Sequence, residues 1–263
     1  MDWFRRHRLT VMRVVAALAG IFFLSVVVQA ISPWGPVTLS NTSGVTDVNL
    51  HRWSAALAGG PDVGLGALLV YIAWRPVAAP LALQWVALAV IVFLGANVPF
   101  VGPLVAVIAI PVVLVLLLYP EQRKLLIAPW RDGVDLPLLA LGVVIAIFLL
   151  VAGATALVAQ AQGGDELARN YDWASNGEHL INVALAAALA GMRRPGSVAV
   201  GIMAGLVLAF LGAAAITVPT DPGSFGTVGG ALAVAAGLAL AALTAYRSMG
   251  SQRRPTGVTP QEA

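Results

Sequence analysis

Cysteine is absent from this chain of 263 residues, lysine occurs once, and charged residues make up only 10% of the sequence. Without cysteine there is no disulfide, no thiolate metal site and no cysteine nucleophile. A soluble domain would carry about 25% charged residues, so the scarcity of charge argues against a soluble protein. The formal net charge is only +3, and the basic residues lie in short segments between apolar runs. No nucleic-acid partner is therefore predicted.

The sequence is rich in long apolar runs, and hydrophobic residues make up 59% of it. Runs of roughly 20 residues recur, and each is long enough to cross about 30 Å of hydrocarbon as a helix. The lipid bilayer is therefore the predicted surroundings of most of the chain. We predict eight transmembrane helices, at residues 11–31, 53–74, 80–98, 102–119, 136–160, 174–192, 197–218 and 226–246.

The two halves of the chain resemble each other. Trp53 stands 46 residues before Pro99, and Trp173 stands 46 residues before Pro219. We therefore predict an all-α polytopic membrane protein made of two tandem four-helix repeats. Because each repeat has an even number of spans, both repeats have the same orientation in the membrane. The predicted divisions are a first repeat with a short basic N-terminus at 1–119, a linker at 120–134, a second repeat at 135–247 and a disordered tail at 248–263.

Positive charge predicts the orientation of the spans. With the N-terminus inside, all of the 15 lysine and arginine residues except Arg52 and Arg169 lie on the cytoplasmic side. This asymmetry predicts cytoplasmic N- and C-termini, a cytoplasmic linker and a multi-pass location in the plasma membrane of a bacterium. The first run resembles a secretory signal, but its counterpart in the second repeat is internal, so we expect it to be retained.

Polar residues mark spans two and six, which occupy equivalent positions in the two repeats. The purely apolar run of each is only 12 or 13 residues long, which is too short to cross a membrane. Each span must therefore include the polar residues before it. Paired short or interrupted helices at matching positions indicate a transporter site, and ionisable groups in a membrane usually face the bundle interior. We predict a ligand-binding site in the outer leaflet, formed by Asp62, Glu178, His179 and Asn182.

A structural interpretation of the same residues stays open. Asp62 follows Pro61 and Glu178 follows Gly177. Both carboxylates would then begin helices at the level of the lipid headgroups, where the helix dipole favours acidic groups. No deeply buried carboxylate is expected, which disfavours a proton pump or an ion-coupled antiporter.

Histidine offers another interpretation, because His51 and His179 are both expected on the outer side. With Glu178 they form a candidate metal site, and the two histidines alone are a candidate haem pair. The sequence has no close His/Asp/Glu spacing of the kind that metal sites use. No cofactor and no catalytic residue are predicted.

One motif resembles a known group of proteins. Gly177-Glu178-His179-Leu180, a helix of small residues and Arg193-Arg194-Pro195 resemble multi-span actinobacterial membrane proteins that contain Asn-Glu-His-Leu, Asp-Val-Gly and Arg-Arg-Pro in that order. Here the pattern is split, because Asp62-Val63-Gly64 lies in the first repeat. The resemblance implies a polytopic membrane protein and implies no activity.

Three functions are compatible with these patterns. The first is a non-enzymatic protein that binds or transports a small apolar or lipid-like ligand at the interface of the repeats. The second is an accessory or assembly subunit whose partner is a larger membrane protein complex, which the charge-poor core favours. The third is a metal- or haem-binding membrane enzyme that uses His51 and His179.

The predicted orientation has a direct test. An enzymatic reporter that works only outside the cytoplasm, fused after Ala263, should be inactive, because the C-terminus is predicted to be cytoplasmic. The same reporter inserted after Gln162, in a predicted outer loop, should be active. Activity of the fusion at Ala263 would overturn the orientation.

Overall fold

The computed structural model describes residues 2–35 and 47–252, and helices dominate this part of the chain. No β-strand occurs there, and one isolated bridge joins Val134 to Met192. The longer helices are α1 (Asp2–Leu24), α2 (Arg52–Trp74), α3 (Pro80–Val101), α4 (Ile110–Leu118), α5 (Leu136–Gln162), α6 (Asp172–Leu189), α7 (Ser197–Thr217) and α8 (Gly226–Gln252). Short helices lie at Val27–Ala30 and Glu166–Arg169, and 3-10 turns at Ser32–Trp34, Val48–His51, Pro76–Ala78, Pro103–Ala109, Gln122–Leu126 and Pro129–Asp132.

Six helical segments in the described part of the chain are long and apolar enough to cross a membrane. They match predicted spans one, two, three, five, seven and eight, and they indicate a membrane protein. The other two predicted spans also coincide with helices. Pro103–Leu118 is apolar but shorter, and α6 has 18 residues with several polar side chains among them. The six spans are at His7–Trp34, Asn49–Trp74, Pro80–Val101, Leu136–Gln162, Ser197–Thr217 and Gly226–Met249.

The predicted tail is helical at its beginning. The helix α8 continues to Gln252, five residues beyond the predicted end of the second repeat at 247. Residues 253–263, which make up the rest of the predicted tail, lie outside the described residues.

Glycine allows close backbone contact in three helix pairs. In α1 and α2, a Cβ atom added at Gly20 would lie 2.9 Å from the carbonyl oxygen of Gly66. In α5 and α6, one added at Gly153 would lie 3.0 Å from the carbonyl oxygen of Gly177. Small residues permit such contact between membrane helices, which then gain dispersion energy along their length.

In the pair α7 and α8, two glycines of α7 make such contacts. An added Cβ at Gly205 would lie 2.5 Å from the carbonyl oxygen of Gly237, and one at Gly212 would lie 2.5 Å from that of Gly230. Both glycines therefore occupy positions that no other residue fits without movement of a helix. The pair α3 and α4 is different, because Gly95 of α3 has no atom within 4 Å of an added Cβ.

The helices α2 and α6 contact each other at the centre of the bundle. Helix α6 also packs against α3, α5 and α7, and α2 also packs against α1 and α7. This central position buries the polar residues of both helices in protein, which is where ionisable groups in a membrane segment are usually found.

Hydrogen bonds join the two halves at one end of the bundle, which we call the His51 face (His51, Trp53, Asp172 and Asp221). Trp53 donates its backbone N–H to the Asp221 carboxylate at 3.2 Å, and His51 contacts the Asp172 carboxylate. Burial raises the pKa of the Asp221 carboxyl, while the Trp53 N–H and the nearby Arg52 act in the opposite direction.

The opposite end, which we call the Arg194 face (Arg194, Gln84 and residues 124–128), is held by buried side-chain donors. The Arg194 guanidinium donates to the carbonyl oxygen of Ile127 at 2.8 Å and also to those of Lys124 and Ala128. The Gln84 amide donates to Ile127 at 2.6 Å. The predicted linker is therefore attached to both halves.

The glycine contacts of α7 generate a stability prediction. We expect Gly212→Ala to lower the free energy of unfolding by about 1–3 kcal/mol, because the added methyl group overpacks the contact with α8. The matched variant Gly95→Ala adds the same methyl group to open space and should stabilise by up to about 1 kcal/mol through helix propensity. Denaturant titration in mixed micelles measures both, and equal effects of the two variants would contradict this packing.

Candidate functional site

A cavity of about 220 Å³ lies between α2, α3, α4 and α6. Its walls are mostly apolar and come from α3 and α4, whereas its polar side chains come mainly from α2 and α6. All four residues that were predicted to bind a ligand line this one cavity. Its polar lining consists of Asp62, Asn97, Ser175, Glu178, His179 and Asn182, and its apolar lining includes Trp85, Val86, Ala89, Phe93, Ile108 and Val112.

Helices α2 and α6 contain these polar residues, and each helix is continuous through them. Both helices include the polar residues that precede their apolar runs. The prediction that Asp62 and Glu178 begin helices is wrong, because both lie inside a helix and Pro61 is accommodated within α2. The carboxylates that do cap helical segments belong to Asp47, Asp135 and Asp165.

The site lies well inside both helices. Asp62 lies ten residues after the first residue of α2, and Asn182 lies ten residues after the first residue of α6. At 1.5 Å per residue, both lie about 15 Å along their helices. That is half of the roughly 30 Å thickness of a hydrocarbon core.

His179 is the centre of the polar cluster. Its Nδ1 lies 2.7 Å from the Ser175 carbonyl oxygen and 3.2 Å from the Glu178 carboxylate. Its Nε2 lies 3.4 Å from the Asp62 carboxylate. A carbonyl oxygen can only accept, so Nδ1 carries a proton that it donates to Ser175. The second nitrogen, Nε2, therefore faces Asp62 as the atom that can gain or lose a proton.

Glu178 is buried, with 5% of its surface exposed. The expectation that the membrane core holds no deeply buried carboxylate is therefore wrong. Asn182 donates its side-chain N–H to Glu178 at 2.5 Å, and the indole N–H of Trp85 donates to the backbone carbonyl oxygen of Asn182 at 2.9 Å. Donors surround this carboxylate, which reduces the cost of burying it.

Two acceptor groups of the cluster can form further hydrogen bonds. The side-chain oxygen of Asn182 is buried and has no hydrogen-bond partner. The Asp62 side chain keeps 27% of its surface exposed, against 9% for His179. Both groups accept hydrogen bonds, so the polar end of the cavity favours a ligand that donates them.

His51 lies in a different cluster. Only 1% of its surface is exposed, and its two ring nitrogens contact Asp172 and Glu166, the latter at 3.2 Å. His51 therefore does not join His179 and Glu178 in the metal site proposed from the sequence. No group of three or more His, Cys, Asp or Glu residues suited to a metal ion occurs among the described residues.

Sequence reasoning missed three residues that line the cavity. Ser175 stands four residues before His179, so helical spacing alone brings the two together. Asn97 donates to the Phe93 carbonyl oxygen of its own helix at 3.0 Å, and its side chain also bonds to Glu178 of α6. Nothing in the sequence around Trp85 signals its bond to α6.

Helices α3 and α7 differ in the size of their residues at matching distances from a proline. Gly205 and Gly212 of α7 stand 14 and 7 residues before Pro219, and Trp85 and Val92 of α3 stand 14 and 7 residues before Pro99. The glycines bring α7 against α8, whereas α3 carries larger side chains at these two places. The space between α3 and α4 is part of the cavity.

Comparison with known proteins gives no match: no family, no curated protein and no solved structure is similar to this chain. The proposed function therefore rests on the geometry of the cavity.

The contact between Trp85 and Asn182 generates a prediction. Trp85→Phe removes a buried hydrogen bond and should lower the free energy of unfolding by at least about 1 kcal/mol. The control is Trp130→Phe, because Trp130 is largely exposed and its replacement should change stability by less than about 0.5 kcal/mol. Denaturant titration in mixed micelles tests the pair. A Trp85→Phe protein as stable as the control would contradict the bond.

Proposed function

We propose that this chain is a multi-pass protein of a bacterial plasma membrane that binds a small amphipathic molecule in the cavity between α2, α3, α4 and α6. The observation that carries the proposal is the division of the cavity into apolar walls and one polar end. Such a division is typical of small-molecule sites, where apolar contacts supply affinity and a few polar groups fix the orientation. The proposed role is binding or transport, without catalysis.

The size of the cavity supports a small ligand. An apolar cavity of about 150 Å³ is large enough for benzene. The cavity of about 220 Å³ therefore accepts a molecule somewhat larger than a benzene ring. A complete membrane lipid does not fit, so the lipid-like ligand expected from the sequence is narrowed to a small amphiphile.

Helix lengths support eight spans. In Pro103–Leu118, seven residues are in a 3-10 helix and nine in an α-helix, which together extend for about 27 Å because a 3-10 helix rises about 2 Å per residue. The 18 residues of α6 also extend for about 27 Å. Both lengths are close to the thickness of a hydrocarbon core.

Helix contacts support two tandem repeats. The contact of α1 with α2 corresponds to that of α5 with α6, and α3 with α4 corresponds to α7 with α8. Between the halves, α2 contacts α7 and α6 contacts α3, as a two-fold relation requires. Asp62 and Asn182 are equivalent in this relation, since each stands nine residues after a tryptophan, Trp53 or Trp173.

Charge supports the proposed orientation, with both termini in the cytoplasm. The Arg194 face is close to Arg75, Arg193 and Arg247, whereas Arg52 is at the His51 face. An excess of arginine marks the cytoplasmic side of a membrane protein. The split Glu-His-Leu and Asp-Val-Gly motif supports a relation to the actinobacterial membrane proteins, since both of its parts meet in the cavity.

The ligand site can be tested on protein extracted gently from its own membrane. We expect native mass spectrometry to find a small molecule retained by the wild type and lost from Ala89→Phe, because the larger side chain fills the cavity that Ala89 lines. The control is Ala239→Phe, which adds the same ring to an exposed position of α8 and should retain the molecule.

Equal retention by both variants would place the molecule elsewhere. A wild type that carries a protein partner and no small molecule would instead favour an accessory subunit.

A further inference from the structure

The polar cluster needs one positive charge inside the membrane. Asp62 and Glu178 are its two carboxylates, and a protonated His179 leaves the cluster with a net charge of −1. Without any cation the two carboxylates would hold a charge of −2 at mid-membrane depth. Isolated charges in hydrocarbon are strongly unfavourable, so a cation beside this pair lowers the cost of burying both carboxylates in the ionised form.

We propose that the ligand of this cavity is an organic cation with a primary ammonium group, which binds Asp62 in exchange for the proton on His179 Nε2. This inference rests on the proposed function and specifies its ligand.

Asp62 is the carboxylate that a ligand can reach. Its side chain is 27% exposed and lines the cavity. Its contact with His179 is 3.4 Å long, at the outer limit of a hydrogen bond. Glu178 is 5% exposed and already accepts from Asn182 at 2.5 Å. An incoming donor therefore replaces His179 at Asp62 and leaves Glu178 in place.

The unpaired oxygen of Asn182 selects an ammonium group. It is buried without a partner and lines the same cavity as Asp62. An alkylammonium group has three N–H donors, whereas an alcohol has one. Of these two groups, only the ammonium keeps a donor for a second acceptor once it has bound Asp62.

The groups that face His179 leave no other ionisable partner in the cavity. Asp62 faces it from α2, and Ser175, Glu178 and Asn182 face it from its own helix. Helix α3 contributes the uncharged Asn97 and Trp85, while the 3-10 turn and α4 contribute Ile108, Ala109 and Val112, and α1 contributes Phe23. Among the described lining residues, the exchange therefore involves one imidazole and two carboxylates.

The exchange balances in charge and in protons. The ligand enters as an ammonium ion, His179 releases the Nε2 proton to the water outside the membrane, and Nδ1 keeps the proton that it donates to Ser175. One positive charge enters the site as one leaves it. The net charge of the cluster stays at −1, so no uncompensated charge is added to the membrane interior.

The test uses the full chain in lipid nanodiscs with two probes of matched size, benzylamine and benzyl alcohol. Isothermal titration in two buffers of different ionisation enthalpy reports both affinity and protons released. The signal from Ala89→Phe nanodiscs, whose cavity is filled, measures partition into lipid and is subtracted. We expect benzylamine to bind about 10- to 100-fold more tightly than benzyl alcohol, because hydrogen bonds to charged groups are the stronger ones.

Proton release distinguishes exchange from simple binding. We expect about one proton released per benzylamine bound, and an affinity that rises about tenfold per pH unit while His179 is protonated in the empty site. Benzyl alcohol should release none. Asp62→Asn should abolish both the release and the preference for the amine, whereas Glu121→Gln, a carboxylate lost from the exposed linker, should preserve them.

Each outcome of this test either supports or overturns the proposed exchange. Binding of benzylamine without proton release in the wild type, or equal affinity for the two probes, overturns the exchange and leaves ligand binding in the cavity intact. Binding of neither probe above the signal from Ala89→Phe overturns both proposals. If Asp62→Asn fails to fold, the comparison of benzylamine with benzyl alcohol on the wild type still tests the proposal.

Discussion

A carboxylate in the interior of a membrane protein is tolerated only where donors surround it, and the arrangement of this bundle follows from that constraint. Glu178 accepts from Asn182 and lies beside His179. These groups share α6, which occupies the centre of the bundle between α2, α3, α5 and α7. Were α6 on the lipid-facing surface, the same three side chains would face hydrocarbon with no partners but one another. A helix with several polar side chains is therefore enclosed by the rest of the bundle.

The corresponding helix pairs of the two halves pack differently. In the second half, glycines bring α7 and α8 into backbone contact, with no space for a ligand. In the first half, Trp85 of α3 lines the cavity and donates to the backbone of α6. If the two halves are repeats, as we propose, Trp85 stands at the position of one of these glycines, and the difference in packing makes the site asymmetric.

Much of the fold and the identity of the site residues could be predicted from the sequence, because hydropathy and composition are local properties. Asp62 and Glu178 were recognisable since few ionisable residues fall within apolar segments. Helix continuity through Pro61 was not predictable, because it depends on the neighbouring helices that surround α2. The partners of His51 and His179 were not predictable either. They depend on which helices meet, and the sequence contains nothing that assigns His51 to Asp172 rather than to a metal.

The attachments at both ends of the bundle determine how a molecule reaches the cavity. Trp53 and His51 join the halves at one end, and Arg194 joins them at the other. A rocking motion of one half against the other would break buried polar contacts at both ends. The 3-10 turn before α4 carries Ile108, which is exposed on the surface of the bundle and also lines the cavity. For the ligand that we propose, this surface is an entrance from the side, so the membrane, where amphiphiles accumulate, would be the reservoir from which the site fills.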